Sequence, residues 1–167
     1  MSTPEQEPEF TIERPNRDKA ASKATKAVVI LLLLVSAGLV FIVTAGGWDR
    51  LAGAKAVQIF YILVYVGMAY YVARWNRGVL PIAAALAIIL GIFAAIAGPA
   101  WFDRDKTGFS DPALPAGVLG LVTLIIVPVQ LLLIAFAMRG FQQEWNVEIE
   151  VPIGETYRPG EHQPRTA

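Results

Sequence analysis

The chain has 167 residues, of which 55% are hydrophobic and 17% are charged, and its mean hydropathy is +0.51. Soluble domains carry about 25% charged residues, so this composition favours a membrane protein. The formal net charge is zero and cysteine is absent. These two facts give no basis for a nucleic-acid partner and exclude disulfides and thiolate metal sites.

The first 26 residues are polar and rich in proline, glutamate and lysine. Such a segment cannot bury enough apolar surface to offset the entropy lost on ordering, so the composition predicts a largely disordered tail. Its last part, residues 18–26, is expected to extend the first membrane helix into the headgroup region.

Four long apolar runs follow, and none of them contains a charged residue. At about 1.5 Å per residue, each run is long enough to cross a hydrocarbon core of roughly 30 Å. Pro128, within the last run, is expected to kink its helix. The sequence therefore predicts an all-α bundle of four transmembrane helices, in which short connections make consecutive helices antiparallel neighbours. The predicted spans are residues 27–45, 56–73, 79–98 and 116–138.

All four tryptophans follow the C-terminal end of a predicted span. Tryptophan is enriched at membrane–water interfaces because its ring is amphipathic. The pattern predicts membrane-interface anchors at Trp48, Trp75, Trp101 and Trp145.

Lysine and arginine are distributed unevenly between the two ends of these spans. Eight lie near the end that carries both tails and four near the other end. The positive-inside rule then predicts a protein of the cell membrane with both termini in the cytoplasm. One alternative stays open: Val43-Thr44-Ala45 resembles a signal-peptide cleavage site, and cleavage there would leave three spans. The eight residues are Arg14, Arg17, Lys19, Lys23, Lys26, Arg74, Arg77 and Arg139, and the four are Arg50, Lys55, Arg104 and Lys106.

Within the spans, two features predict contacts between helices. Small residues recur every four positions in the third span and would let another helix approach closely, either in this bundle or in another subunit. Gln130 is a polar side chain near the middle of the fourth span, so it is predicted to make an intramembrane polar contact or to line a substrate path. The small residues are Ala83, Ala87, Gly91 and Ala95.

The connection between the third and fourth spans places oxygen-bearing side chains at alternating positions, as in a calcium loop. The position that should supply a bidentate glutamate is Leu114, and prolines interrupt the following helix. A solvated turn is therefore the preferred interpretation, with cation binding left open and no metal or cofactor predicted. The loop residues concerned are Asp103, Asp105, Thr107, Gly108 and Asp111.

The C-terminal segment, residues 139–167, is predicted to be a second cytoplasmic tail. Its first part, 139–145, continues as a helix along the membrane surface. Residues 147–153 alternate apolar and polar side chains, which is typical of a strand. Because a lone strand is unstable, this segment is either unstructured or paired with the sheet edge of another protein.

No aspartate, glutamate, lysine, arginine or histidine lies within a span, and no catalytic pair can be assembled. The sequence thus predicts a protein that is not an enzyme, most plausibly an accessory or scaffolding subunit of a membrane complex. Its expected partners are the lipid bilayer and either another protein or further copies of itself. The alternative is a small transporter or channel for a neutral or lipidic substrate, with Gln130 on its path.

Overall fold

A computed structural model describes residues 10–51, 53–104 and 112–153. Within these ranges the chain is predominantly helical, with one pair of short strands. In chain order the elements are β1 (Phe10–Glu13), α1 (Pro15–Asp18), α2 (Ala20–Gly46), a 3₁₀ turn (Trp48–Arg50), α3 (Ala54–Ala73), α4 (Val79–Phe102), α5 (Ala116–Gln142) and β2 (Ile149–Pro152).

The helices α2 to α5 are each long and apolar enough to cross a membrane, which confirms the four predicted apolar helices. Helix α2 begins seven residues before the predicted span, so the basic residues before the apolar run are helical. Helix α4 continues through Pro99 to Phe102, beyond the predicted end at 98. Apolar side chains such as Leu63 and Leu131 point outward and are exposed, as expected of helices that face lipid.

The four helices do not pack equally on one another. Helix α4 packs extensively on α5, and α2 packs on both α3 and α5, but α3 makes little contact with α4. The expectation that all consecutive helices are close neighbours is therefore wrong for α3 and α4, although only residues 74–78 separate them. Glycines of α4 such as Gly91 and Gly98 lie against α5, whereas Phe93 and Ile96 line a cavity beside α3.

The seam between α4 and α5 uses most of the predicted small-residue stripe. Ala83 and Ala87 are fully buried, and Gly91 packs against Gln130, whereas Ala95 is exposed. Four residues turn a helix through about 400°, so a four-residue repeat drifts by about 40° at each step. After three steps the stripe has left the contact face.

At the far end of this seam, Gly98 and Gly120 bring two backbones close together. A Cβ atom on Gly120 would lie 3.1 Å from the carbonyl oxygen of Gly98 and 2.9 Å from Cε2 of Phe102. A Cβ atom on Gly98 would lie 2.5 Å from Cδ2 of Leu124. Glycine at both positions is therefore what allows the two helices to approach this closely.

The described parts of both tails are folded together, which corrects two predictions. Strand β1, within the segment predicted to be disordered, pairs antiparallel with β2, so that Phe10 lies opposite Pro152 and Glu13 opposite Ile149. The strand predicted at 147–153 thus has its partner in the same chain. The helix predicted to continue over 139–145 is present only as far as Gln142, where α5 ends, and a left-handed residue at Glu144 (φ 49°) then redirects the chain.

The close approach of α4 and α5 yields a stability prediction. Replacing Gly120 with valine should lower the free energy of unfolding by about 1–3 kcal/mol, because the Gly98 carbonyl cannot move aside without shifting the helix. Gly67 is the matched control, since it lies in α3 with no atom within 4 Å of its would-be Cβ. Thermal unfolding of the detergent-solubilised protein compares the two valine variants, and equal midpoints would contradict the packing described.

Candidate functional site

Three buried side chains from three helices form a hydrogen-bonded chain, here called the polar triad: Ser36 on α2, Tyr65 on α3 and Gln130 on α5. The Tyr65 hydroxyl donates to Oε1 of Gln130 at 2.9 Å. Nε2 of Gln130 donates to Oγ of Ser36 at 2.9 Å, and Ser36 donates to the carbonyl oxygen of Leu32 at 2.7 Å. Three of the four long helices are thereby joined at one level.

The triad gives Gln130 a role in joining helices. Apolar surroundings make an unpaired polar group costly, and across the described ranges every buried side-chain nitrogen and oxygen has a partner. Sequence reasoning singled out Gln130 but missed Ser36 and Tyr65 as its partners. Each of those two lies near the middle of its own predicted span, and mid-span residues of antiparallel helices meet at the same depth.

A cavity of about 420 Å³ opens beyond the triad, toward the ends of α2 and α4 (the loop end of the bundle). Its inner walls include Val40, Tyr61 and Ile126, from α2, α3 and α5. These residues lie one helical turn from Ser36, Tyr65 and Gln130 respectively, so the inner end of the cavity is next to the triad. The cavity widens between α3 and α4, where the two helices do not pack together.

The outer part of the cavity carries positive charge. Arg50, at the end of the 3₁₀ turn, and Arg104, just after α4, both line it. The Arg104 guanidinium lies 5.1 Å from the centre of the Trp101 ring, a cation–π distance. Trp101 is itself only 4% exposed. The site therefore combines an apolar interior with two arginines at one end, and its volume is within the range of small-molecule sites.

The opposite end of the bundle (the tail end) is closed by a set of contacts here called the tail clasp. Trp145 is fully buried and meets Trp75 edge to face, with ring centres 5.2 Å apart. The ammonium of Lys26 lies 4.0 Å from the centre of the Trp75 ring. Nε of Arg17 donates to the carbonyl oxygen of Trp145 at 2.9 Å. The N-terminal tail, the turn after α3 and the C-terminal tail therefore meet at one point.

The backbone at Trp75 is strained, which shows how firmly the clasp is held. Its φ of 62° lies in the left-handed region, at a helix end where glycine is usual. The amide of Trp75 donates to the Val72 carbonyl, and that of Asn76 to the Tyr71 carbonyl, which is the usual bonding of such a helix end. Strain of this kind persists only where surrounding contacts determine the conformation.

Further polar contacts extend the clasp outward. Nε of Arg14 donates to a carboxylate oxygen of Glu148 at 2.9 Å, next to the paired strands. Nε of Arg77 donates to the Phe141 carbonyl at 2.7 Å, joining the α3–α4 turn to α5. Burial and the nearby Arg14 charge lower the pKa of Arg17, and Glu148 opposes this shift. Arginine remains protonated at neutral pH, so the clasp stays cationic.

The four tryptophans that the sequence marks as interface anchors occupy different surroundings. Trp48 is 45% exposed, with the Lys55 ammonium 4.6 Å from its ring centre, whereas Trp101 and Trp145 are buried inside the protein. Contact of these rings with lipid headgroups stays a prediction.

The calcium-like loop lies mostly outside the described residues, since 105–111 are not among them. Asp103, which precedes them, is exposed. In the ranges that are described, no group of three or more histidine, cysteine, aspartate or glutamate side chains could hold a metal ion.

The polar triad predicts measurable coupling between Tyr65 and Gln130. Replacing Gln130 with leucine should destabilise the protein by about 1–3 kcal/mol, because the Tyr65 hydroxyl is left without its acceptor in an apolar interior. Tyr65→Phe should cost less, and in the double variant the two losses should not add. A double-mutant cycle on unfolding in mixed micelles measures the coupling, for which about 0.6 kcal/mol is typical in membrane proteins. Strict additivity would contradict the bond.

The tail clasp predicts that the first and last tryptophans of the chain, Trp48 and Trp145, contribute differently to stability. Trp145→Ala should lower stability by about 3–5 kcal/mol and make the N-terminal tail sensitive to protease, because it removes the ring that Trp75 packs against. Trp48→Ala is the control, since that side chain is largely exposed. Limited proteolysis with thermal unfolding measures both effects, and a stable, protease-resistant Trp145→Ala protein would contradict the clasp.

No family model matches this chain, and comparison with curated proteins and with solved structures also gives no match, so any function has to be inferred from the geometry above.

Proposed function

We propose that this is a non-catalytic, multi-pass protein of the cell membrane that serves as an accessory or scaffolding subunit of a membrane assembly. Four long apolar helices with exposed apolar surfaces support insertion into a bilayer. The apolar runs of these helices contain no aspartate, glutamate, lysine, arginine or histidine that could relay protons or carry out acid–base chemistry. Three of the buried polar side chains, Ser36, Tyr65 and Gln130, are bonded to one another and join three helices.

One observation carries the subunit proposal: an apolar face on the sheet formed by the two tails. Phe10 and Ile12 project from the same side of β1 and are 53% and 59% exposed. Thr11, between them, is exposed too, but Val151 opposite it is fully buried, so on the other side of the sheet it is β2 that faces the protein. Because β1 precedes α2 and lies beyond the apolar helices, the lipid core does not account for this exposure.

The sheet is also suited to receiving a partner. A two-stranded sheet is marginally stable alone and gains from a third strand or a covering surface. Extended segments of other proteins bind such edges through backbone hydrogen bonds, and apolar side chains like Phe10 and Ile12 add affinity. Docking here would leave the tail clasp intact, since Trp145 and Trp75 lie beneath the sheet's anchoring residues Arg14 and Arg17.

The charge distribution supports a cytoplasmic position for this surface. The tail end carries the larger number of lysines and arginines, as the positive-inside rule requires of the cytoplasmic side. Both termini, and the proposed partner, would then be in the cytoplasm.

The subunit proposal predicts the effect of changing the sheet's outer face. Phe10→Ser combined with Ile12→Ser should abolish near-stoichiometric co-purification of a partner protein from gently solubilised native membranes, because both apolar contacts are lost. Trp48→Ser is the control, since it removes an exposed aromatic at the opposite end. Mass spectrometry of the purified complexes measures the ratio of partner to protein.

Two outcomes would contradict the proposal. One is a partner retained in full by the double variant, and the other is a wild-type protein that purifies only as a homo-oligomer. The second outcome would favour a small transporter or channel for a neutral or lipidic substrate, for which the cavity at the loop end is the supporting observation. A transport path across the whole bundle would also have to pass the polar triad, which lies one helical turn beyond the inner walls of that cavity.

A further inference from the structure

We propose that the cavity at the loop end binds a membrane lipid with a negatively charged headgroup. One acyl chain lies in the apolar interior between α3 and α4, and the phosphate lies at Arg50 and Arg104. This inference goes beyond the subunit function and does not depend on it, since the cavity and the tail sheet are at opposite ends of the bundle.

The walls of the cavity suit a hydrocarbon chain. Residues such as Val57, Phe93 and Ile126 provide apolar surface from three helices. The two hydroxyl groups on the wall donate back to the protein: Tyr61 to the Leu86 carbonyl at 3.4 Å and Thr123 to the Leu119 carbonyl at 2.7 Å. A polar solute would lose its hydration there and could not accept a hydrogen bond from these two hydroxyl groups. An acyl chain has no polar group to desolvate, so it does not carry this cost.

The cavity opens sideways, where a lipid in the surrounding bilayer could enter. Helices α3 and α4 scarcely touch, and wall residues Ile96, Ala97 and Ala100 on α4 are exposed to the outside. A volume of about 420 Å³ is smaller than a whole two-chain lipid. One chain therefore fits inside while the other stays among the bilayer lipids.

The two arginines favour a lipid whose headgroup is negatively charged. A guanidinium has five N–H donors in a planar fork that matches phosphate oxygens, so it can hold a phosphate while keeping contacts within the protein. Stacking on the buried Trp101 orients Arg104 at the cavity. Asp49 and Asp103 are near in sequence, but both are exposed and neither lines the cavity. A zwitterionic headgroup would bring its own cation toward the arginines, so a net negative lipid is favoured.

Equilibrium binding in detergent micelles tests this inference with two probes, phosphatidylglycerol and phosphatidylcholine, that carry the same fluorescent acyl chain. The wild-type protein should bind phosphatidylglycerol about tenfold more tightly, which corresponds to one charge-assisted contact. Arg50→Gln combined with Arg104→Gln should remove this preference and leave phosphatidylcholine binding unchanged. Lys55→Gln is the charge control, because Lys55 lies at the same end but does not line the cavity.

A second pair of variants tests the chain-binding part. Ala97→Trp fills the cavity from its open side and should weaken binding of both probes, whereas Ala95→Trp adds the same ring to an exposed position of α4 that does not line the cavity. If the double arginine variant fails to fold, raising the salt concentration should reduce the wild-type preference, since partly exposed charges are screened.

Results of two kinds would overturn the inference, one for the headgroup and one for the acyl chain. Equal wild-type affinities for the two lipids, or a preference that survives loss of both arginines, would remove the headgroup assignment. Equal binding by the Ala97→Trp and Ala95→Trp proteins would show that the cavity does not hold the chain. These lipid affinities are measured on the purified protein, so they do not depend on whether the proposed protein partner binds.

Discussion

The hydrogen bonds of the polar triad are the interaction on which the arrangement of the bundle depends. In an apolar environment the hydrophobic effect does not hold helices together, so polar contacts and close packing must do so. Gln130 donates to Ser36 and accepts from Tyr65, and thereby connects α5 with α2 and α3. Because the three groups can satisfy one another in only one relative position, they determine the depth and rotation at which these helices meet.

Helix α4 is held by a different means, and this difference creates the cavity. It contributes no side chain to the triad, but its small residues allow it to lie against α5, most closely where Gly98 meets Gly120. Neither interaction connects α4 with α3. Contact between α3 and α4 is therefore sparse, although the Tyr61 hydroxyl donates to the Leu86 carbonyl, and the cavity lies between these two helices.

The features that could be predicted from the sequence are those that depend on residues near one another in the chain. The four apolar helices follow from uninterrupted hydrophobic runs, and the importance of Gln130 follows from its isolation within one of them. The sheet could not be predicted, because Phe10 and Pro152 are far apart in sequence and β1 resembles the disordered segment around it. Ala95 does not share the buried face of Ala83 and Ala87, because a four-residue repeat departs from the helical period. The cavity depends on which helices pack together, and no local pattern reports that.

The two ends of the bundle differ in how they use cationic side chains, and this explains why they suit different partners. At the tail end, Lys26 and Arg17 are directed at Trp75 and at the Trp145 carbonyl, so their charges are engaged within the protein and the end is closed. At the loop end, Arg50 and Arg104 also make contacts within the protein, but both border a cavity, where an anion can reach them from the membrane surface. The tail end therefore offers an apolar sheet to a protein, and the loop end offers charge and a hydrocarbon site to a lipid. Since the triad lies between the two ends and holds three helices together, each end can bind its partner without opening the middle of the bundle.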